Sequence, residues 1–221
     1  MINILIFGDS NSWGYIDDGT GMPLSSRWPI IFSNSLNELG IQNHVKEDCL
    51  PGRTTNIDDG TDGKHLNGSR IFKSSLLSHS PLDLAIIMLG TNDLKARFHR
   101  TAKDIAKGIE DLINISQHTY SSGLSWHDEK TTPLLIIAPP PLGSKCSDPN
   151  WHNYDEWINA FDTSQDIFLS YQEICNKKQI PIINSNDFIQ SSDEDPIHWS
   201  AESHAIFGRN LALELPKKIK L

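Results

Sequence analysis

The chain has 221 residues, 38% of them apolar and 21% charged, with a formal charge of −9 at neutral pH. That length and balance fit one large domain spanning residues 1–221 with a substantial core, and they exclude a disordered chain. The acidic excess, with no basic run longer than Lys217-Lys218, sets aside nucleic acid and anionic membrane surfaces as partners.

The apolar run 2–7 reads as a first core strand, and Gly8-Asp9-Ser10-Asn11-Ser12 follows it directly. Helical spacing over 28–39 stops at Gly40, a natural helix C-terminus. A second strand over about 44–48 leads to Pro51-Gly52-Arg53-Thr54-Thr55, then a Gly- and Asp-rich loop over 57–67 and a helix over 69–78. The third strand, 84–89, runs into Gly90-Thr91-Asn92-Asp93, and a helix over 102–117 follows. Beyond a fourth strand at 134–138 comes the long Pro-rich loop 139–153, where binding surfaces are often built. One continuous helix is predicted over 154–178 and a fifth strand over 181–184. Asp195-Pro196-Ile197-His198 precedes a last helix over 201–215, with Ser200 as its N-cap.

The strands lack clean period-two alternation, as expected when both faces are covered. Strands alternating with helices predict an α/β domain, a three-layer α/β/α sandwich on a five-stranded parallel sheet. Function in such sheets gathers outside the carboxyl ends of the strands. Ser10, Gly52 and Asn92 follow the first three strands, and Asp195 and His198 follow the fifth. All five therefore fall on one edge.

A serine hydroxyl is a weak nucleophile until a base takes its proton. Ser10 supplies the hydroxyl, His198 the base and Asp195 the carboxylate that orients the base. Gly52 and Asn92, with the Ser10 N–H, offer three donors for an oxyanion. Each residue has a plainer reading: Ser10 as a helix cap, Gly52 as a turn glycine, Asn92 as an Asx-turn and His198 as an incidental loop histidine. Trp13 either walls the acyl or alcohol pocket or packs the first helix. Asp9, Thr91 and Asp93 read as supports of loop backbone.

No Gly-x-Ser-x-Gly elbow, HExxH, P-loop or GxGxxG is present, so no cofactor or metal is expected. The 58–63 segment faintly resembles a calcium loop, but Gly60 and Ser69 occupy ligand positions. Three cysteines without a CxxC pair, and no secretory pattern after Met1, point to a cytoplasmic protein. Trp126, Trp151 and Trp157, placed near long loops, are expected to be exposed.

These four blocks resemble the SGNH (GDSL) hydrolase family: Gly8-Asp9-Ser10, Gly52, Gly90-Thr91-Asn92-Asp93 and Asp195-x-x-His198 match its blocks in order. The stretches 53–59 and 82–93, with Lys95-Ala96 and Arg100-Thr101, are similar to its arylesterase/acyltransferase branch. The resemblance implies a flavodoxin-like fold, metal-free hydrolysis of short-chain esters, acyl transfer to alcohol or peroxide beside water, and a homo-oligomer. Asn11 stands where the family name has Leu, and Pro196 where Gly is common. The reading that follows is a ping-pong serine esterase. A carbohydrate O-acetyl esterase is the alternative, and a non-catalytic binding module on the same scaffold is the remote one.

Overall fold

In the computed structural model, residues 1–16, 20–125, 127–192 and 194–219 are described. Five parallel strands form one sheet: β1 (Ile2–Gly8), β2 (Asn43–Cys49), β3 (Leu84–Met88), β4 (Leu134–Ala138) and β5 (Ile182–Asn184). Their order is β2-β1-β3-β4-β5. This is the doubly wound, flavodoxin-like order, whose topology reverses between β1 and β3.

Successive residues along a strand feed opposite layers. Leu5, Phe7, Ala85, Ile87, Leu134 and Ile136 pack with α3 (Gly68–Ser78), α4 (Ala102–Gln117) and α6 (Ile167–Lys178). Ile4, Ile6, Leu84, Ile86, Leu135 and Ile137 pack with α2 (Trp28–Glu38) and α7 (Ala201–Lys218). Apolar residues at both parities explain why the strand sequences do not alternate. Local signals set the helix ends. Thr101 and Asp104 form a reciprocal capping box on α4. Ser200 caps α7, and Gly40, at φ +80°, follows the end of α2.

The expected continuous helix over 154–178 is broken. A 3-10 turn (Tyr154–Glu156) precedes α5 (Ala160–Gln165), and α6 starts at Ile167. Asn159 sits in the left-handed region at φ +63°, which no continuous helix admits. The break lets Trp157 turn into the core. Trp151 and Trp157 are only 8% and 5% exposed and join the core cluster, so the expected exposure of both is corrected. Trp126 lies outside the described residues. Among the described residues no helix is long and apolar enough to cross a membrane.

Candidate active site

Strand β1 ends at Gly8, and the chain turns at once into the short helix α1 (Ser10–Trp13). A Cβ on Gly8 would lie 2.3 Å from the Ser12 hydroxyl, so glycine is what lets α1 fold back onto its own strand. Asp9, not Ser10, is the N-cap: its carboxylate accepts from the Asn11 N–H at 3.0 Å. Ser10 is thereby freed from capping. It becomes the first helical residue, whose N–H has no partner within the helix.

The Ser10 hydroxyl lies 3.1 Å from His198 Nε2, and His198 Nδ1 lies 2.8 Å from Asp195 Oδ2. The other Asp195 oxygen accepts from the Ile197 and His198 N–H groups at 2.9 and 3.0 Å. Burial works to raise the Asp195 carboxyl. The His198 hydrogen bond and charge, with the two N–H groups, outweigh it and hold the group below its ordinary range. The carboxylate thus stays charged and fixes the ring through Nδ1. The Tyr15 ring packs on His198 with centroids 4.3 Å apart.

Gly52 adopts φ +86° in the turn after β2, a conformation that suits glycine. Asn92, after β3, donates one amide hydrogen to the Arg53 carbonyl at 3.2 Å, and the amide keeps a second. Ser10, Gly52, Asn92, Asp195 and His198 all line one cleft of about 370 Å³. Tyr15, Trp151 and Trp157 are its aromatic walls, and Lys95, His152, Asn153, Glu156 and Glu194 give it a polar rim. Trp13 is half-buried and is not among the described residues lining this cleft; Tyr15, two residues on, takes the place expected of it.

Beneath the cleft lies a buried polar bed that motif reading reached only in part. Arg53, 2% exposed, donates to the Gly8 carbonyl at 3.1 Å and to Asp48 at 2.7 Å, and it stacks on Phe7 at 4.1 Å. Asp93 is fully buried; it accepts from the Thr55 N–H at 2.9 Å, the Thr55 hydroxyl at 2.6 Å and Arg100. Burial pushes Asp9 up to about 7, although Asn11, His198 and Arg53 oppose it. A second ionic group joins three loops at the rim. Arg97 bonds Asp59 and Asp62 at 2.6 Å and Glu156 at 2.9 Å, while Lys95 bonds Glu156 at 3.0 Å. The carboxylates of the 58–63 segment are thus engaged by arginines, with Asp58 held by Arg70.

A hydroxyl, an imidazole and a carboxylate in hydrogen-bonded series, at the carboxyl edge of a doubly wound sheet, define a hydrolase of the serine type. The profile of the GDSL-like lipase/acylhydrolase family matches residues 6–206, and the chain belongs to that family, in its arylesterase-like branch. The aryl esterase of M. smegmatis, solved with inhibitor, is similar at 31% identity and TM-score 0.87 over 99% of this chain and 100% of its own. A carbohydrate acetylesterase family member from Sinorhizobium meliloti is similar at 30% identity and TM-score 0.89, covering 100% of both chains. A lipase/acylhydrolase from Enterococcus faecalis, at 20% identity and TM-score 0.67, covers 100% of this chain and 98% of its own and shares the fold. A comparison with curated proteins finds no significant match. The chain is a serine esterase, a carboxylic ester hydrolase.

Proposed function

We propose that this protein hydrolyses short-chain esters, acetyl esters first, through an acyl-enzyme on Ser10. His198 takes the Ser10 proton as the oxygen attacks the ester carbonyl. Asp195 holds the ring and stabilises the imidazolium. The oxyanion is received by the N–H groups of Ser10 and Gly52 and by the free Asn92 amide hydrogen. His198 protonates the departing alcohol; water then attacks the acyl-enzyme with His198 again as base, and the bond to the Ser10 oxygen breaks as His198 returns the proton to it and the acid leaves. Alcohol or peroxide in place of water would give acyl transfer by the same route. The observation that carries this reading is the unbroken series from the Ser10 hydroxyl through His198 to Asp195, at 3.1 and 2.8 Å.

A second reading, O-acetyl ester of a sugar, is favoured by the rim. Lys95, His152, Asn153, Glu156 and Glu194 beside Trp151 and Trp157 offer donors, acceptors and aromatic faces suited to a polyol. We also read residues 1–221 as one domain acting as a homo-oligomer in the cytoplasm, where the unpaired Cys49, Cys146 and Cys175 would stay reduced. Light scattering that returns a monomer at micromolar concentration overturns the oligomer.

The test is hydrolysis of p-nitrophenyl esters from acetate to octanoate beside acetylated xylose, with Ser10→Ala as control. Activity that is greatest on acetate or butyrate and lost in the variant supports the aryl or alkyl reading. Activity confined to the acetylated sugar selects the second. Substantial turnover by folded Ser10→Ala overturns both.

A further inference from the structure

The residue after the nucleophile has no part in the chemistry above, yet it is 1% exposed and polar. Asn11 Nδ2 donates to the Ile197 carbonyl at 3.1 Å across 186 residues of sequence. Ile197 is the residue before His198, and its own N–H is held by Asp195 Oδ1 at 2.9 Å. The path from nucleophile to base therefore runs from Ser10 to Asn11, over one hydrogen bond, to Ile197 and His198. It closes a ring with the 3.1 Å contact between the Ser10 hydroxyl and His198 Nε2.

We infer that Asn11 is a positioning residue of this esterase, docking the Asp195–His198 loop onto the nucleophile helix so that base and hydroxyl meet at bonding distance. This rests on the roles given above to Ser10 and His198. Three observations carry it. First, other ties to the loop come from the segment that follows β4: Gly143 donates to the Pro196 carbonyl at 2.8 Å, and Lys145 to the Glu194 carbonyl at 3.0 Å. Those bonds set the loop against β4 and its extension. They do not reference it to α1, and the Asn11 bond does. Second, the amide can serve only one way round. Turned over, Asn11 would set its Oδ1 against the Ile197 oxygen, lone pair to lone pair. Third, Asn11 Oδ1 is buried with no hydrogen-bond partner among the described residues. An amide kept at that cost is kept for its donor.

Asn11 stands where the motif that names the family has Leu. Leucine has the branching and the number of side-chain heavy atoms of asparagine, with greater bulk and no donor. In this chain, the exchange would strand the Ile197 carbonyl. A shift well under the width of an atom is enough to matter, since a misplacement of about 1 Å can cost on the order of a hundredfold in rate.

The test compares wild type with Asn11→Leu and Asn11→Ala, on two readouts. One is steady-state hydrolysis of p-nitrophenyl acetate. The other is the rate at which an organophosphonate modifies Ser10, a step that needs the Ser10–His198 pair and no alcohol pocket. Both are run at 25 °C on samples shown folded by circular dichroism and well below their measured Tm. Asn11→Leu adds bulk at the site and Asn11→Ala removes it, so an effect common to both reports the lost donor rather than a packing change, and each guards against a folding failure in the other. Kcat and the modification rate should fall together, by roughly 10- to 100-fold in both variants, with KM changed less than about twofold. Wild-type kcat in either folded variant overturns the inference, as does a change confined to KM or to Tm. Wild-type hydrolysis that persists in Ser10→Ala instead removes the reading beneath it.

Discussion

Removing the Asn92 side chain tests whether the cleft stabilises charge in the transition state. Asn92 is 5% exposed, and its amide is referenced by the bond to the Arg53 carbonyl at 3.2 Å. That bond leaves one amide hydrogen for the oxygen of the tetrahedral intermediate. Asn92→Ala deletes a preorganised donor in a largely water-excluded site, and such a loss costs about 10²–10³ in kcat, or about 2.7–4 kcal/mol. It also strands the Arg53 carbonyl, so stability should fall by roughly 1 kcal/mol. Asn92→Asp separates the two effects. It keeps the shape but places a carboxylate where the oxyanion forms, and kcat should fall further than in the alanine variant. The assay is kcat and KM on p-nitrophenyl acetate, with urea denaturation in parallel. A donor acting on developing charge lowers kcat and leaves KM nearly unchanged. A rise in KM at constant kcat, or an Asp variant as active as wild type, refutes the oxyanion role of Asn92.

Two further changes probe the bed beneath the cleft. Asp93→Ala leaves the nearly buried Arg100 without its carboxylate and strips both Thr55 bonds, so urea unfolding should show a loss of about 3–5 kcal/mol; a loss below about 1 kcal/mol would mean the Asp93–Arg100 pair is not held as described. Asp9 titrates near 7 in the folded chain against an ordinary 3.8, so the native state binds the extra proton between those values. Its contribution is fully present below pH 3.8 and is lost as pH rises through 7. Asp9→Asn keeps an oxygen for the Asn11 N–H and removes the titration. It should raise stability at pH 8 relative to pH 5 by roughly 2–3 kcal/mol compared with wild type; parallel pH profiles for the two proteins contradict a buried Asp9 that charges at cost.

The parts of the site legible in sequence are those set by backbone topology. A residue just after a parallel strand lands on the carboxyl edge whatever its neighbours do. Ser10, Gly52, Asn92, Asp195 and His198 each follow a parallel strand, which puts them on one edge, and they line one cleft. Apolar runs also mark β1, β3 and β4, which are buried on both faces, whereas β2 has only Val45 and Cys49 as apolar residues and is partly buried along most of its length. What sequence did not carry depends on contacts between distant segments. The 154–178 stretch keeps helical spacing on both sides of Asn159, so nothing local marks the left-handed residue that breaks it. Trp151 and Trp157 look like loop aromatics until that break folds them inward. Arg97, Asp59, Asp62 and Glu156 are ordinary surface charges until three loops bring them together. Asn11 was visible only as a departure from a motif, since its partner Ile197 lies 186 residues away.

The supports of the machinery and of the cleft wall differ in kind. Ser10, Asn92 and the glycine turns sit on strand ends backed by fully buried groups: Arg53 between Gly8 and Asp48, and Asp93 between Thr55 and Arg100. Burial makes those bonds insensitive to salt and costly to break. The wall made by Lys95, Glu156 and Trp157 is held instead by the Arg97 cluster, whose Asp62 is 47% exposed and Glu156 36%. Pairs that reach solvent contribute little stability and are screened by salt, yet they fix where a loop lies. The wall can therefore be redrawn by changing Arg97 or Glu156 without disturbing the hydroxyl, the base or the oxyanion donors. On the proposed mechanism, discrimination among acyl and alcohol groups would fall to those outer loops, and bond breaking to the residues at the sheet edge.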